Sequence, residues 1–122
     1  QKENMKLLTI CHAGHCRSVA TASILKTRGH DAVALGLDFN SKETFDLLID
    51  WADKILVADQ PYMTSRLPEK ALAKIDTRFH IGEDQWGNPN DNGLWNMIIK
   101  QLDGFREYGN IEQAPRYVMK KK

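Results

Sequence analysis

The 122-residue sequence has only two cysteines, no long apolar run and a net charge of just +1. Two cysteines in one short segment give no disulfide framework of the kind that small secreted domains use. The missing membrane-length run and signal peptide predict a cytoplasmic protein without a membrane partner. The near-zero net charge offers no general electrostatic attraction for nucleic acid. Because repeats, low-complexity tracts and linkers are also missing, we expect one domain over residues 1–122, with peripheral tails at 1–4 and 109–122.

Short apolar runs alternate with amphipathic stretches along the chain. The predicted strands are residues 7–10, 32–35, 55–58 and 74–81, and the predicted helices are residues 18–28, 41–52 and 94–105, with short helical pieces at 61–73. Nearly continuous apolar strands separated by helices are typical of a parallel sheet covered on both faces. We therefore predict a single-domain α/β fold with a four-stranded, mostly parallel sheet flanked by helices.

The segment CHAGHCRS, residues 11–18, joins the first predicted strand to the first predicted helix. A loop that curls into a helix N-terminus points backbone N–H groups inward, and these groups bind an anion together with the helix dipole. The same field stabilises a thiolate, so Cys11 is a candidate nucleophile. Arg17 can hold two phosphoryl oxygens with its planar guanidinium, and Ser18 can donate to the sulfur. The pattern predicts a phosphate-binding loop after the first strand.

Two other interpretations of this segment are weaker. His12, His15 and the two cysteines could suggest zinc. Structural zinc sites, however, take their ligands from two separate pairs of residues, and the chain has no second cluster of such residues. We therefore expect no metal. Cys11 could also be a buried small hydrophobic residue, but its spacing to Arg17 and Ser18 between a strand and a helix favours catalysis.

The spacing C-x5-R-S after a strand resembles the signature of cysteine-dependent protein tyrosine phosphatases. The early position of the motif and the cysteine immediately before Arg17 resemble the low-molecular-weight family of these enzymes. Two further segments are similar to that family in the expected order: WADKILVAD, residues 51–59, to its third strand, and EDQWGN, residues 83–88, to its acidic loop before the last helix.

The resemblance implies hydrolysis of phosphomonoesters, with protein phosphotyrosine expected, through a cysteinyl-phosphate intermediate and without a cofactor. The substrate partner would be a phosphorylated protein or a small aryl phosphate. Cys11 would be the nucleophile, Arg17 would bind the phosphoryl oxygens, and Asp84 would be the general acid. The implied substrate-binding residues are His12, Ala13, Gly14, His15, Cys16, Ser18 and Trp86.

Several alternatives stay open at this stage. Asp59 and Glu83 are rivals of Asp84 for the general acid. Cys16 could form a reversible disulfide with the nucleophile, and the position of His15 in related enzymes affects the choice between phosphotyrosine and phosphoarginine. Two other functions are arsenate reduction with external thiols and phosphate or phosphoprotein binding without turnover.

Overall fold

The centre of the fold is a parallel sheet of three strands. A computed structural model describes residues 4–11, 17–37, 40–59, 64–82 and 88–109. The strands are β1 (Lys6–Cys11), β2 (Asp31–Gly36) and β3 (Lys54–Val57), in the order β2–β1–β3. In this register Leu8 lies opposite Val33 on one side and Ile55 on the other. The central strand β1 is buried from its second residue to its last, as expected for a strand covered on both faces. The predicted single-domain α/β fold is confirmed.

Helices flank the sheet and begin and end close to their sequence signals. They are α1 (Arg17–Thr27), α2 (Lys42–Trp51), α3 (Glu69–Leu72) and α4 (Asn92–Asp103), with 3₁₀ turns at Thr64–Arg66 and Arg106–Tyr108. Ser41 caps α2 by accepting from the backbone N–H of Thr44 at 3.1 Å. Gly29 follows α1 with φ +97°, the left-handed conformation that a C-terminal glycine supplies. Helix α1 packs on β1 and β2 and against α4.

The predicted fourth strand at 74–81 is reduced to a single parallel bridge between Ile55 and Ile75. The backbone N–H of Ile55 donates to the Lys74 carbonyl at 2.9 Å, and that of Asp76 donates to the Ile55 carbonyl at 3.0 Å. Asp76 then starts a turn, because its carboxylate accepts from the Arg78 backbone N–H at 3.0 Å. A local side-chain acceptor thus replaces the next pair of the ladder. The sheet in the described part of the chain therefore has three strands instead of four.

Asp76 is also the centre of an ionic cluster that holds residues 105–108 onto the turn. Its buried carboxylate accepts from the Tyr108 hydroxyl at 2.6 Å and from Arg78 Nη2 at 2.6 Å. Arg78 in turn reaches Glu107 and lies over the ring of Phe105, 4.2 Å from its centroid. Burial alone would raise the pKa of Asp76, but the hydrogen bonds from Arg78 and Tyr108 hold this pKa well below its usual value. Burial and the hydrogen bond to Asp76 raise the pKa of Tyr108.

Contacts with the first half of the chain also hold the last described residues. The backbone carbonyl of Tyr108 accepts from Arg28 Nη1 at 3.0 Å, and Gly109 O lies 3.3 Å from Nε2 of the buried His30. Residues 1–3 and 110–122 lie outside the described residues, so the peripheral tails stay a prediction. None of the helices in the described ranges has the length and apolar character that a bilayer span requires.

Candidate active site

The candidate site begins where the central strand ends. Cys11 is the last residue of β1, and its backbone carbonyl accepts from the Leu37 N–H at 2.8 Å, just beyond the end of β2. This bond fixes the end of the strand against its neighbour. The carboxyl end of a central parallel strand is where open α/β folds place their ligands, so the geometry puts the cysteine at the expected edge of the sheet.

Cys11 and Ser18 form the closest side-chain pair of the site. The Sγ atom of Cys11 lies 3.0 Å from the Oγ atom of Ser18, and both residues are about 2% exposed. Either atom can be the donor in this contact, so the serine hydroxyl is placed where it can donate to the sulfur. The helix dipole at the start of α1, which begins at Arg17, attracts negative charge to this end of the helix.

Two buried threonines fix the first turn of α1, and the sequence analysis did not identify either of them. Thr9 in β1 donates from its hydroxyl to the Ser18 carbonyl at 2.8 Å. Thr21, one turn along the helix, donates to the Arg17 carbonyl at 2.8 Å. The signal for Thr9 was a single polar residue within the apolar run LLTIC, since a hydroxyl in a buried strand needs a partner. Thr9 therefore ties the strand that ends in Cys11 to the helix that carries Ser18.

Arg17 is the largest fully buried side chain of the described residues, at 2% exposed. Its Nη1 atom donates to the carbonyl oxygen of Gly82 at 2.6 Å, and Gly82 has φ +95°. Its Nε atom is buried and has no hydrogen-bond partner within the described part of the chain. A buried guanidinium needs acceptors for its five N–H groups. The unused donor is therefore a reason to expect an anionic ligand here.

Most of the predicted loop residues lie outside the described ranges. Of the predicted site, the structure describes Cys11, Arg17 and Ser18, and it brings the side chains of Cys11 and Ser18 into contact. The others, His12, Ala13, Gly14, His15, Cys16, Asp84 and Trp86, fall in residues 12–16 and 83–87, which are outside the described part. The redox role of Cys16 stays a prediction. Within the described residues no group of three or more His, Cys, Asp or Glu side chains is placed to hold a metal ion.

Asp59, a rival candidate for the general acid, is one of the residues that the structure describes, and it follows the end of β3. It directly follows Ala58, whose carbonyl accepts from the backbone N–H groups of Ile81 and Gly82 at 2.8 and 3.0 Å. Asp59 and the segment that leads to Asp84 therefore lie at the same sheet edge as Cys11. Asp84 and Glu83 both lie outside the described residues, so the assignment of the general acid to Asp84 over Asp59 and Glu83 stays a prediction.

Comparisons with protein-family models and with curated proteins find no match. Among solved structures, the chain resembles the YwlE arginine phosphatase from Geobacillus stearothermophilus, with a TM-score of 0.60, 18% sequence identity and coverage of 81% of this chain and 88% of that one. It also resembles the tyrosine phosphatase Wzb from Escherichia coli K30, solved in complex with phosphate. That match has a TM-score of 0.52, 15% identity and coverage of 98% of this chain and 100% of the other.

The chain has the fold of the low-molecular-weight protein tyrosine phosphatases. The resemblance that the sequence motif at residues 11–18 indicated is thus confirmed at the level of the fold. Identities of 18% and 15% show the fold alone, so the activity is argued from the site itself.

Proposed function

We propose that the chain is a phosphatase that hydrolyses phosphomonoesters, with phosphotyrosine on proteins as the expected substrate. The observation that carries the proposal is the 3.0 Å pairing of Cys11 Sγ with Ser18 Oγ, next in sequence to the buried Arg17. A sulfur nucleophile, a hydroxyl that can donate to it and a fixed cation suit attack on a phosphoryl group. The names of both structural neighbours, an arginine phosphatase and a tyrosine phosphatase, support the same class of reaction.

In the first step of the proposed mechanism, the Cys11 thiolate attacks phosphorus. A sulfur–phosphorus bond forms while the bond between phosphorus and the leaving oxygen breaks. Arg17 binds two of the phosphoryl oxygens and stabilises the charge that they carry in the transition state. Asp84, the expected general acid, gives its proton to the leaving oxygen, so that a neutral alcohol or phenol departs.

In the second step, water attacks the cysteinyl phosphate. The Asp84 carboxylate takes a proton from the water, an oxygen–phosphorus bond forms, and the sulfur–phosphorus bond breaks. The electron pair returns to Cys11, where the Ser18 hydroxyl stabilises the departing thiolate. Inorganic phosphate is released and the starting state of the site is restored, so neither step needs a cofactor.

The test is hydrolysis of a chromogenic aryl phosphate by the wild-type chain and by Cys11→Ser. We expect turnover by the wild-type chain and its loss in Cys11→Ser, because a hydroxyl at this position is a far weaker nucleophile than a thiolate. Ser23→Ala, a similar change on α1 but outside the site, should keep wild-type turnover. Full activity in Cys11→Ser would rule out the cysteinyl intermediate. Phosphate binding without turnover by the wild-type chain would instead support a binding module.

Phosphoarginine on proteins is the second candidate substrate. The YwlE neighbour is an arginine phosphatase by name, and His15 stands at the position that the family resemblance links to this choice. Comparing kcat/KM for a phosphotyrosyl and a phosphoarginyl peptide of the same sequence separates the two. A higher value for the phosphoarginyl peptide would reject the expected preference for phosphotyrosine but keep the nucleophile and the arginine in their roles.

A further inference from the structure

We propose that Gln101, on helix α4 and outside the site, is a positioning residue for Arg17. The inference rests on the proposed function in one respect, namely that Arg17 holds phosphoryl oxygens. The path runs from the Gln101 amide to the backbone of His80, along residues 80–82, and from the Gly82 carbonyl to the guanidinium.

The first link is a two-point clamp on the backbone of His80. The Oε1 atom of Gln101 accepts from the His80 N–H at 3.0 Å, and its Nε2 atom donates to the His80 carbonyl at 2.6 Å. This pair of bonds fixes the orientation of the amide, since a flipped amide would set donor against donor and acceptor against acceptor. The Gln101 amide therefore binds both backbone groups of His80, as a neighbouring strand would. It does so beyond the bridge at Ile75, where the chain has left the sheet.

The second link fixes the far end of the same short segment. The N–H groups of Ile81 and Gly82 both donate to the Ala58 carbonyl, just beyond β3. Residues 80–82 are thus held from α4 on one side and from the end of β3 on the other. With its N–H bound there and φ at +95°, Gly82 directs its carbonyl oxygen to Arg17 Nη1 at 2.6 Å.

The third link is the dependence of the guanidinium on this one carbonyl. Among the described residues, the Arg17 side chain has one hydrogen-bond acceptor, the carbonyl oxygen of Gly82, and its Nε atom has no acceptor. A planar guanidinium binds two phosphoryl oxygens only when its plane is correctly turned. Releasing the clamp at His80 leaves residues 80–82 held from the end of β3 but no longer from α4. The Gly82 carbonyl can then shift, and the plane of the Arg17 guanidinium is less firmly set. A displacement of a catalytic group by about 1 Å lowers the reaction rate by a large factor.

The experiment compares Gln101→Met with Asn96→Met, an amide-to-thioether change at an exposed position of the same helix. Binding of inorganic phosphate is measured by calorimetry, and kcat/KM is measured with an aryl phosphate. We expect Gln101→Met to weaken phosphate binding about threefold or more and to lower kcat/KM about tenfold, the loss that a disturbed charge-assisted hydrogen bond brings. Asn96→Met should keep both values. Wild-type values for both quantities in a folded Gln101→Met protein would overturn the inference.

A second pair of variants covers the case in which Gln101→Met does not fold. Among the described residues, a Cβ on Gly82 would meet one atom, His80 Nε2, at the ordinary contact distance of 3.8 Å, so the strain that Gly82→Ala introduces there comes from its positive φ. Gly29→Ala introduces the same kind of strain at φ +97°, beyond the C-terminal end of α1, the opposite end from Arg17 and Ser18. We expect Gly82→Ala to lower phosphate affinity and kcat/KM, and Gly29→Ala to lower only the stability. Equal effects of the two on phosphate affinity would reject the path through Gly82.

The calorimetric measurement needs no turnover, so the inference and the proposed function fail separately. If the wild-type chain shows no phosphatase activity but Gln101→Met still binds phosphate more weakly than it does, the proposed function is wrong. The positioning role of Gln101 is then supported. A wild-type chain that binds no phosphate at all would overturn the positioning role, because Arg17 would then have no anion to hold.

Discussion

The Sγ atom of Cys11 and the Oγ atom of Ser18, seven residues apart in sequence, lie 3.0 Å from each other in the buried junction between β1 and α1. The backbone of Ser18 is held from the other side by the Thr9 hydroxyl at 2.8 Å. The strand that ends in the cysteine and the helix that carries the serine are therefore joined twice. This double connection holds the Ser18 oxygen next to the sulfur, where its hydroxyl can donate.

Replacing Ser18 by alanine should slow the release of phosphate from the sulfur. A hydrogen bond to a charged group is worth about 1.5–3 kcal/mol, so kcat should fall by about tenfold to a hundredfold. The measurement is a rapid-mixing assay with an aryl phosphate. Because the second step loses the donor to the departing thiolate, Ser18→Ala should show a larger burst of released phenol before the steady state. Ser23→Ala is the control on the same helix, and an unchanged kcat in Ser18→Ala would remove Ser18 from the mechanism.

Thr9→Val should affect both stability and activity through the same junction. The change keeps the shape of the side chain and removes the bond to the Ser18 carbonyl, at a cost of about 0.5–1.5 kcal/mol in the free energy of unfolding. Because the bond orients Ser18, kcat/KM should fall by up to about tenfold. Thr27→Val removes a hydroxyl bond to the Ile24 carbonyl at the other end of α1 and should leave kcat/KM unchanged. Urea unfolding and steady-state kinetics on both variants test this, and equal kinetics in the two would contradict it.

The sequence predicted the parts of the site that are set by local geometry. Cys11, Arg17 and Ser18 are neighbours along one strand, loop and helix, so their spacing alone carries the information. The bond from Arg17 to Gly82 joins residues 65 positions apart, and no spacing pattern marks it. The clamp from Gln101 to His80 depends on how α4 packs, which again only the tertiary structure fixes.

The predicted fourth strand shows why part of the fold could not be predicted from local sequence patterns. Residues 74–81 have the alternating composition of a strand, and Ile75 does pair with Ile55. The chain then leaves the sheet because Asp76 binds Arg78 nearby and Tyr108 from 32 residues further on. A partner so distant in sequence outweighs a local preference for strand, and its effect becomes visible only once the chain is folded.

The choice between the two candidate general acids can be tested by the leaving group. We predict that Asp84→Asn lowers kcat about 10²-fold or more for phenyl phosphate, since proton donation contributes factors of about 10²–10⁴. The loss should be much smaller for a substrate whose phenol leaves without a proton. Asp59→Asn should change neither rate by more than a few fold. The reverse pattern, with the leaving-group dependence in Asp59→Asn, would assign the acid to Asp59.

The cluster around Asp76 should make the fold sensitive to acid. The pKa of Asp76 is lowered in the folded chain, so its ionised form stabilises the fold above the unfolded value of about 4, and this contribution is lost as the pH falls below that value. Tyr108→Phe removes the 2.6 Å bond to this carboxylate and should lower the free energy of unfolding by about 1–3 kcal/mol at pH 7.

The pH dependence of this difference separates the ionic bond from simple loss of packing. Without the Tyr108 donor the pKa of Asp76 in the folded chain should rise, so the stability gap between wild type and Tyr108→Phe should narrow once the pH falls below that raised pKa. Urea unfolding at pH 7, 4 and 3 measures the gap. Asp103→Asn is the matched control, because its pair with Arg28 is largely exposed on the carboxylate side and exposed pairs contribute under about 1 kcal/mol. A gap for Tyr108→Phe that stays constant with pH would mean that the hydroxyl stabilises the fold without depending on the charge of Asp76.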